Sequence, residues 1–291
     1  MDPVELNKLN YPDVQIWKKF FGVSVEEIFS EFQKNNIGTC KKQLERIEID
    51  ISKTGKENDL RKIFYFEFLR IRKVRNVIHF GLNSCELFVQ KKISEFFKDC
   101  NNNGSCPKLN SENGQIYLLA FSGKIIPLET YHVVVTVVPK FIIPKMKVLD
   151  IGRFILYVIF KMKGFGPVLE FHLPKMDQRL TSDLVFRDYL NVGKILAANK
   201  KIKGTYQSNW FLDPALAEIS SHFVEIQNLA GKFGALIISL GEDSRITSDA
   251  IAKSKKRRLL YQQGRYKPKR MIRVWSRSDI LKFFEINKNI D

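Results

Sequence analysis

Apolar and polar positions follow two rhythms along this chain, and the change between them predicts its organisation. Residues 12–35 carry apolar side chains at helical spacing, interrupted near Gly22. Ser24 stands three residues before Glu27, the spacing of a capping box, and Ile28, Phe29 and Phe32 supply the stripe that follows. The helical rhythm returns from Asp59 to about Lys98, through Ile63, Phe66, Leu69, Leu87, Ile93 and Phe96. Residues 1–100 therefore read as a helical N-terminal region. The tract 101–114 is built of Asn, Gly, Ser and Pro with little to bury, and reads as a polar linker.

Beyond it the period shortens. Gln115–Phe121 and Tyr131–Val138 read as strands, the second as a β-branched run suited to a buried position. Val148–Met162 is ambiguous, and periodicity does not decide between helix and strand. Strand and helix then alternate. Val168–Leu173, Gly204–Leu212, Gly234–Leu240 and Met271–Trp275 read as strands. Helices fall at 182–199 with Ser182 as N-cap, at 214–232 with Asp213 as N-cap and Pro214 in the first turn, at 248–263 closed by Gly264, and at 278–284. The expected fold is α/β, a mixed central sheet flanked by helices over 115–291, preceded by the helical region.

Charge changes this picture. The chain carries 48 Lys and Arg against 31 Asp and Glu, a net +17 over 291 residues. That favours an anionic partner: a phosphate-bearing ligand, nucleic acid or an acidic membrane surface. Between Lys253 and Arg277 stand eleven Lys and Arg and no carboxylate, interleaved with Tyr261, Tyr266 and Trp275. Cations beside rings suit nucleic acid, since the one neutralises phosphate and the other stacks on bases. The same tract suits the phosphates of a small donor, or is a solvated basic face. The longest apolar stretch, Phe154–Phe160, falls short of the about 20 residues of a membrane span. The N-terminal residues lack the apolar core of a secretory signal, so a cytoplasmic location is expected. Cys40, Cys85, Cys100 and Cys106 fit neither a zinc spacing nor C-x-x-C. They read as free thiols, with Cys100 and Cys106 able to close a loop in an oxidising compartment.

Candidate chemistry begins at Glu170 and His172, two apart and so on one strand face, where a carboxylate can orient an imidazole as a general base. A single strand histidine also serves structure alone. Arg179 follows in the strand-to-helix loop, where α/β sheets build sites. Asn209 and Trp210, ending the next strand, read either as lining of a substrate pocket or as core and turn residues. No metal-ligand spacing, G-x-S-x-G elbow or dinucleotide fingerprint is present.

The phrase Ala250-x3-Ser254-x2-Arg257-Arg258-x-Leu260-Tyr261-x2-Gly264-x-Tyr266 resembles the closing helix of the GNAT N-acyltransferase superfamily, and Pro214–Leu240 resembles part of its acyl-CoA-binding strand–helix–strand. The resemblance implies transfer of an acyl group from a thioester donor, acyl-CoA or an acyl-carrier protein, to an amine or hydroxyl. It implies Tyr261 as the acid that protonates the departing thiolate. Lys253, Lys255, Lys256, Arg257 and Arg258 would contact the donor phosphates, and no metal is called for. It also implies a V-shaped gap between two parallel strands beside Trp210. The family's glycine-rich pyrophosphate loop is missing at the matching place, Asp213–Glu218, where a carboxylate stands instead. The alternative reading is a non-enzymatic protein that binds nucleic acid or an anionic surface through Lys253–Arg277.

Overall fold

A computed structural model describes residues 21–34, 37–75, 85–102, 105–173, 181–220, 222–252 and 254–289. The chain divides into two compact units, Met1–Pro127 and Leu128–Asp291.

The first unit is helical. It comprises α1 (Val25–Gln33), α2 (Ile37–Ser52), α3 (Glu57–Val74), α4 (Glu86–Asn102) and α5 (Glu112–Phe121), and ends on a two-residue strand, β1 (Ile126–Pro127). The capping box forms as its spacing predicts: Ser24 Oγ accepts the Glu27 N–H, and Glu27 accepts the Ser24 N–H. A phenylalanine-rich core joins the helices through Phe29, Phe64, Phe68, Phe96 and Phe121. Gln115–Phe121, expected as a strand, is the body of α5, because Ser111 caps that helix by accepting the Gly114 N–H. Consequently 101–114 does not separate the units. Its Cys106 and Leu109 are buried in the first unit's core, and the division falls at Pro127. Cys100 and Cys106 are both buried, with their sulfurs 2.7 Å apart.

The second unit holds the other five of the six strands found among the described residues: β2 (His132–Val137), β3 (Pro167–His172), β4 (Gly204–Asn209), β5 (Leu236–Glu242) and β6 (Lys269–Ser276). They lie in the order β2-β3-β4-β6-β5. The last strand is inserted between two earlier ones, so β4 and β5 are not neighbours. Three neighbouring pairs are antiparallel, and only β3–β4 is parallel. The ambiguous stretch after β2 is helical: α6 (Val148–Leu156) runs into a π turn, Tyr157–Lys161. Its Phe154 and Val158 pack with Val168, Tyr206, Ile272 and Val274 on one sheet face. The π turn is pinned by Tyr157, whose hydroxyl donates to the Gly234 carbonyl at 2.8 Å and accepts the Ser276 N–H at 3.0 Å.

The remaining helices are α7 (Ser182–Ala198), α8 (His222–Lys232), α9 (Ser244–Ala252), α10 (Lys255–Gln262) and α11 (Arg277–Asn287). The N-cap of α7 is Thr181, one residue before the serine expected there. Asp213-Pro214 opens only a 3-10 turn, Pro214–Leu216, and the helix proper starts at His222. The single helix expected over 248–263 is two, since Ser254 caps α10 by accepting the Arg257 N–H.

Candidate functional site

The parallel pair β3–β4 is where the sheet parts. Its ladder is confined to Leu169↔Thr205 and Glu170↔Tyr206, with Lys203 N–H bonding the Pro167 carbonyl at 2.7 Å just before it. Past that point each strand continues with its outer neighbour. Phe171 and His172 still pair with Val133 and His132 on β2, while Gln207, Ser208 and Asn209 still pair with Arg273, Ile272 and Met271 on β6. The C-terminal ends of β3 and β4 thus hold to opposite halves of the sheet and carry no ladder pair with each other. Both are followed by connections to helices, the usual place for a site in a sheet of this kind.

Polar side chains gather along this line on the sheet face that α6 covers. Glu170 and His172 share that face, as the period-two spacing predicts, with Oε2 and Nε2 3.6 Å apart. That is beyond a direct hydrogen bond and within ion-pair reach when the ring is protonated. Both remain partly open to solvent. The His172 ring stacks on His132, its register partner, with centroids 5.4 Å apart. Tyr206 lies beside Glu170 across the parallel pair and is buried; burial raises its phenol, and a hydrogen bond with Ser208 offsets part of the rise. Arg270 donates to Ser208 Oγ at 2.9 Å and reaches Asp243 at 3.3 Å. Asp243 is held below the usual carboxylate range, first by the Ile246 N–H and further by Arg270. Sequence reasoning missed Tyr206, Ser208 and Arg270. The available signal was their alternation on strands facing Glu170, which needs the strand order to be seen.

On the opposite face, at the same parting line, Arg273 is buried. Its guanidinium lies 5.7 Å from the Phe171 ring and 4.9 Å from the Tyr189 ring, and donates to the Tyr189 hydroxyl.

The other residues singled out from the sequence are distributed as follows. Tyr261 stands on α10 with its side chain 41 % exposed, so its hydroxyl is not entombed. It belongs to the connection between β5 and β6, whereas Glu170 and His172 stand on β3, with β4 intervening in the sheet. Lys255, Lys256 and Arg258 are exposed on α10. Arg257 is turned inward. Its guanidinium sits 4.6 Å over the Trp210 ring and donates to the Ala250 carbonyl at 2.6 Å and to Ser220 Oγ at 3.2 Å. Trp210 also meets Phe211 and Phe223 edge-on, and Asn209 Oδ1 accepts the Trp210 N–H. Lys253 and Arg179 lie outside the described residues.

Two expectations are corrected by this geometry. The strand before Pro214–Leu240 is β4 and the strand that closes it is β5; β6 separates the two, so the parallel strand–helix–strand is β3–α7–β4 instead. The carboxylate at Asp213 is explained locally: it accepts the Ala215 N–H at 3.1 Å and the Lys269 N–H at 3.2 Å. The basic tract is also not a uniform surface of cations and stacking rings. Tyr266 and Trp275 are buried at 3 % and 1 % exposure, and so unavailable to stack on bases.

No family model matches this chain, and no curated protein matches it. Among solved structures it is similar to an acyltransferase in complex with CoA and 10C-teicoplanin, at 10 % identity over 94 % of each chain with a TM-score of 0.43. It is also similar to an acyltransferase in complex with decanoyl-CoA, at 12 % identity over 76 % of this chain and 67 % of that one, again with a TM-score of 0.43.

Proposed function

We propose that the protein transfers an acyl group from a CoA thioester to an amine or hydroxyl acceptor. The observation that carries this reading is the parting of the parallel strand pair β3–β4 at Glu170 and Tyr206. A gap of that kind, beside the strand that Trp210 follows, is what the resemblance to GNAT acyltransferases implies for donor binding. Backbone N–H and C=O groups of β3 and β4 beyond that point would suit the amides of a pantetheine arm, which would take the place of ladder bonds.

In this reading the Glu170–His172 pair takes the proton of the acceptor as its nitrogen or oxygen attacks the thioester carbonyl. The carbon–sulfur bond then breaks, and the thiolate leaves with a proton supplied by Tyr261. Acyl group, proton and thiol balance without a metal or redox partner. Lys255, Lys256 and Arg258, exposed on α10, would contact the donor phosphates, joined by Lys253. Arg257, tied to Trp210 and Ala250, would hold that helix in place. Arg179 and Asn209 would meet the substrate.

The test has two arms. Acetyl-, octanoyl- and decanoyl-CoA should raise the melting temperature, since a ligand that binds the folded state stabilises it. Free thiol should appear when amine acceptors are added. Tyr261→Phe and His172→Gln should each lower turnover by roughly 10²-fold or more while the thermal shift by donor persists. A donor that stabilises nothing, or a Tyr261→Phe enzyme of full activity, sinks the donor site or the acid respectively.

A further inference from the structure

The segment from Lys140 to Lys163 presents an apolar face that is exposed among the described residues. Val148 and Leu149 are each 84 % exposed, Phe160 73 % and Phe141 64 %, and Leu156 and Ile159 are exposed with them. Along α6 and its π turn, Val148, Gly152, Leu156 and Ile159 fall on one side at helical spacing, with Leu149 and Phe160 beside them. The opposite side, Phe154 and Val158, is buried in the core. A helix apolar on every side is ordinarily buried on every side. Contiguous exposed apolar surface of this kind marks an interaction site.

Charge identifies what meets it. Lys140, Lys145 and Lys147 precede the face, Arg153 flanks it, and Lys161 and Lys163 follow; all six are exposed. Asp150 is the only acid between Lys140 and Lys163, and Arg153 pairs with it at 3.2 Å. A two-fold contact between copies would set this basic rim against itself. Anionic lipid headgroups, by contrast, complement it while the acyl region receives the apolar side chains. The segment is too short to span, and among the described residues no helix is long and apolar enough to cross a membrane. We propose that Phe141, Val148, Leu149, Leu156, Ile159 and Phe160 seat in the interface plane of a bilayer rich in anionic lipid, with the lysines around them in contact with headgroup phosphates. This surface is distinct from the basic tract on α10 and does not depend on the acyl-transfer reading.

Co-sedimentation of the full chain with vesicles tests it. Vesicles of phosphatidylcholine with phosphatidylglycerol should carry the protein down; phosphatidylcholine alone should carry far less. Leu149→Glu with Phe160→Glu changes two exposed side chains, so folding, checked by circular dichroism, should persist. Vesicle partition should fall by at least about ten-fold. Lys145→Gln and Lys147→Gln should each cost roughly five-fold. Lys255→Gln with Lys256→Gln should leave partition largely unchanged. Absence of binding to anionic vesicles overturns the proposal, as does undiminished binding by the double glutamate variant. A dimer of the parent chain that dissociates in that variant, without vesicle binding, would assign the face to contact between copies and overturn it equally.

Discussion

Asp188 on α7 is a carboxylate 0 % exposed, and it accepts three consecutive backbone N–H groups, from Glu129 at 2.7 Å, Thr130 at 2.8 Å and Tyr131 at 3.0 Å. It orders the chain as it enters β2. Desolvation raises its pKa from 3.8 to about 6 even though the three N–H bonds pull the other way. A native pKa above the unfolded one means the folded chain keeps a proton that the unfolded chain has released. Stability from this group is therefore greatest at low pH, falls as pH rises from about 4 to 6, and stays reduced above that window. The free energy of urea unfolding of the parent, minus that of Asp188→Asn, should shrink between pH 4 and pH 7. A difference independent of pH would show that the carboxylate titrates normally. Nothing in the sequence marks Asp188, which sits mid-helix between Arg187 and Tyr189. Glu170 and His172 were legible because a period of two is local, and their placement on one face needs no knowledge of the sheet.

Elements were legible where their ends carry local chemistry and illegible where packing decides. Ser24 and Glu27 declare α1, and Gly264, at φ +68°, closes the turn after α10 as its conformational freedom predicts. Gln115–Phe121 misleads because an unbroken apolar run fits a buried strand and a buried helix alike, and only Ser111 tips it. The insertion of β6 between β4 and β5, and with it the single parallel pair, is a tertiary fact with no local signature. The contact between α7 and α11 gives a test at this scale. A Cβ built on Gly193 would lie 2.6 Å from Phe284 Cβ and 2.7 Å from its Cγ. Alanine at that position gains helix propensity of up to about 1 kcal/mol. The atoms it meets, however, are the base of the phenylalanine, which rotation cannot move away. Overpacking should win, so Gly193→Ala should lower stability by roughly 1–3 kcal/mol, read as a shifted urea midpoint. In a double-mutant cycle with Phe284→Gly, which removes the Cβ in that contact, Gly193→Ala should cost less than it does in the parent; an unaltered single variant would mean the helices separate freely.

Over the whole molecule, the +17 charge is not distributed as the sequence suggests. The tract Lys253–Arg277 looks like one cationic strip, yet folding sorts it. Arg257 and Arg273 turn inward, Arg270 pairs with Asp243, Lys267 lies 3.8 Å from Glu242, and Arg277 donates to the Leu196 carbonyl. Lys255, Lys256 and Arg258 on α10 remain outward, and a second group of exposed cations surrounds α6. On β6 itself, Arg270 and Arg273 face opposite sides of the sheet, since residues with odd and even numbers alternate, and Met271–Ser276 are all buried. Most of the net charge nevertheless stays on the surface, where like charges repel in the folded state more than in the expanded unfolded chain. Surface ion pairs are worth little against this, about 0–1 kcal/mol each. Screening should therefore stabilise the fold: raising sodium chloride from about 10 mM to 200 mM shortens the Debye length from roughly 30 Å to below 10 Å. The melting temperature should rise over that range and then level off. Sodium sulfate at equal ionic strength should raise it further, since sulfate also strengthens apolar burial. A melting temperature that falls with added salt would mean that attractive pairs, such as Arg61–Glu48 in the first unit, outweigh the repulsion among the exposed lysines.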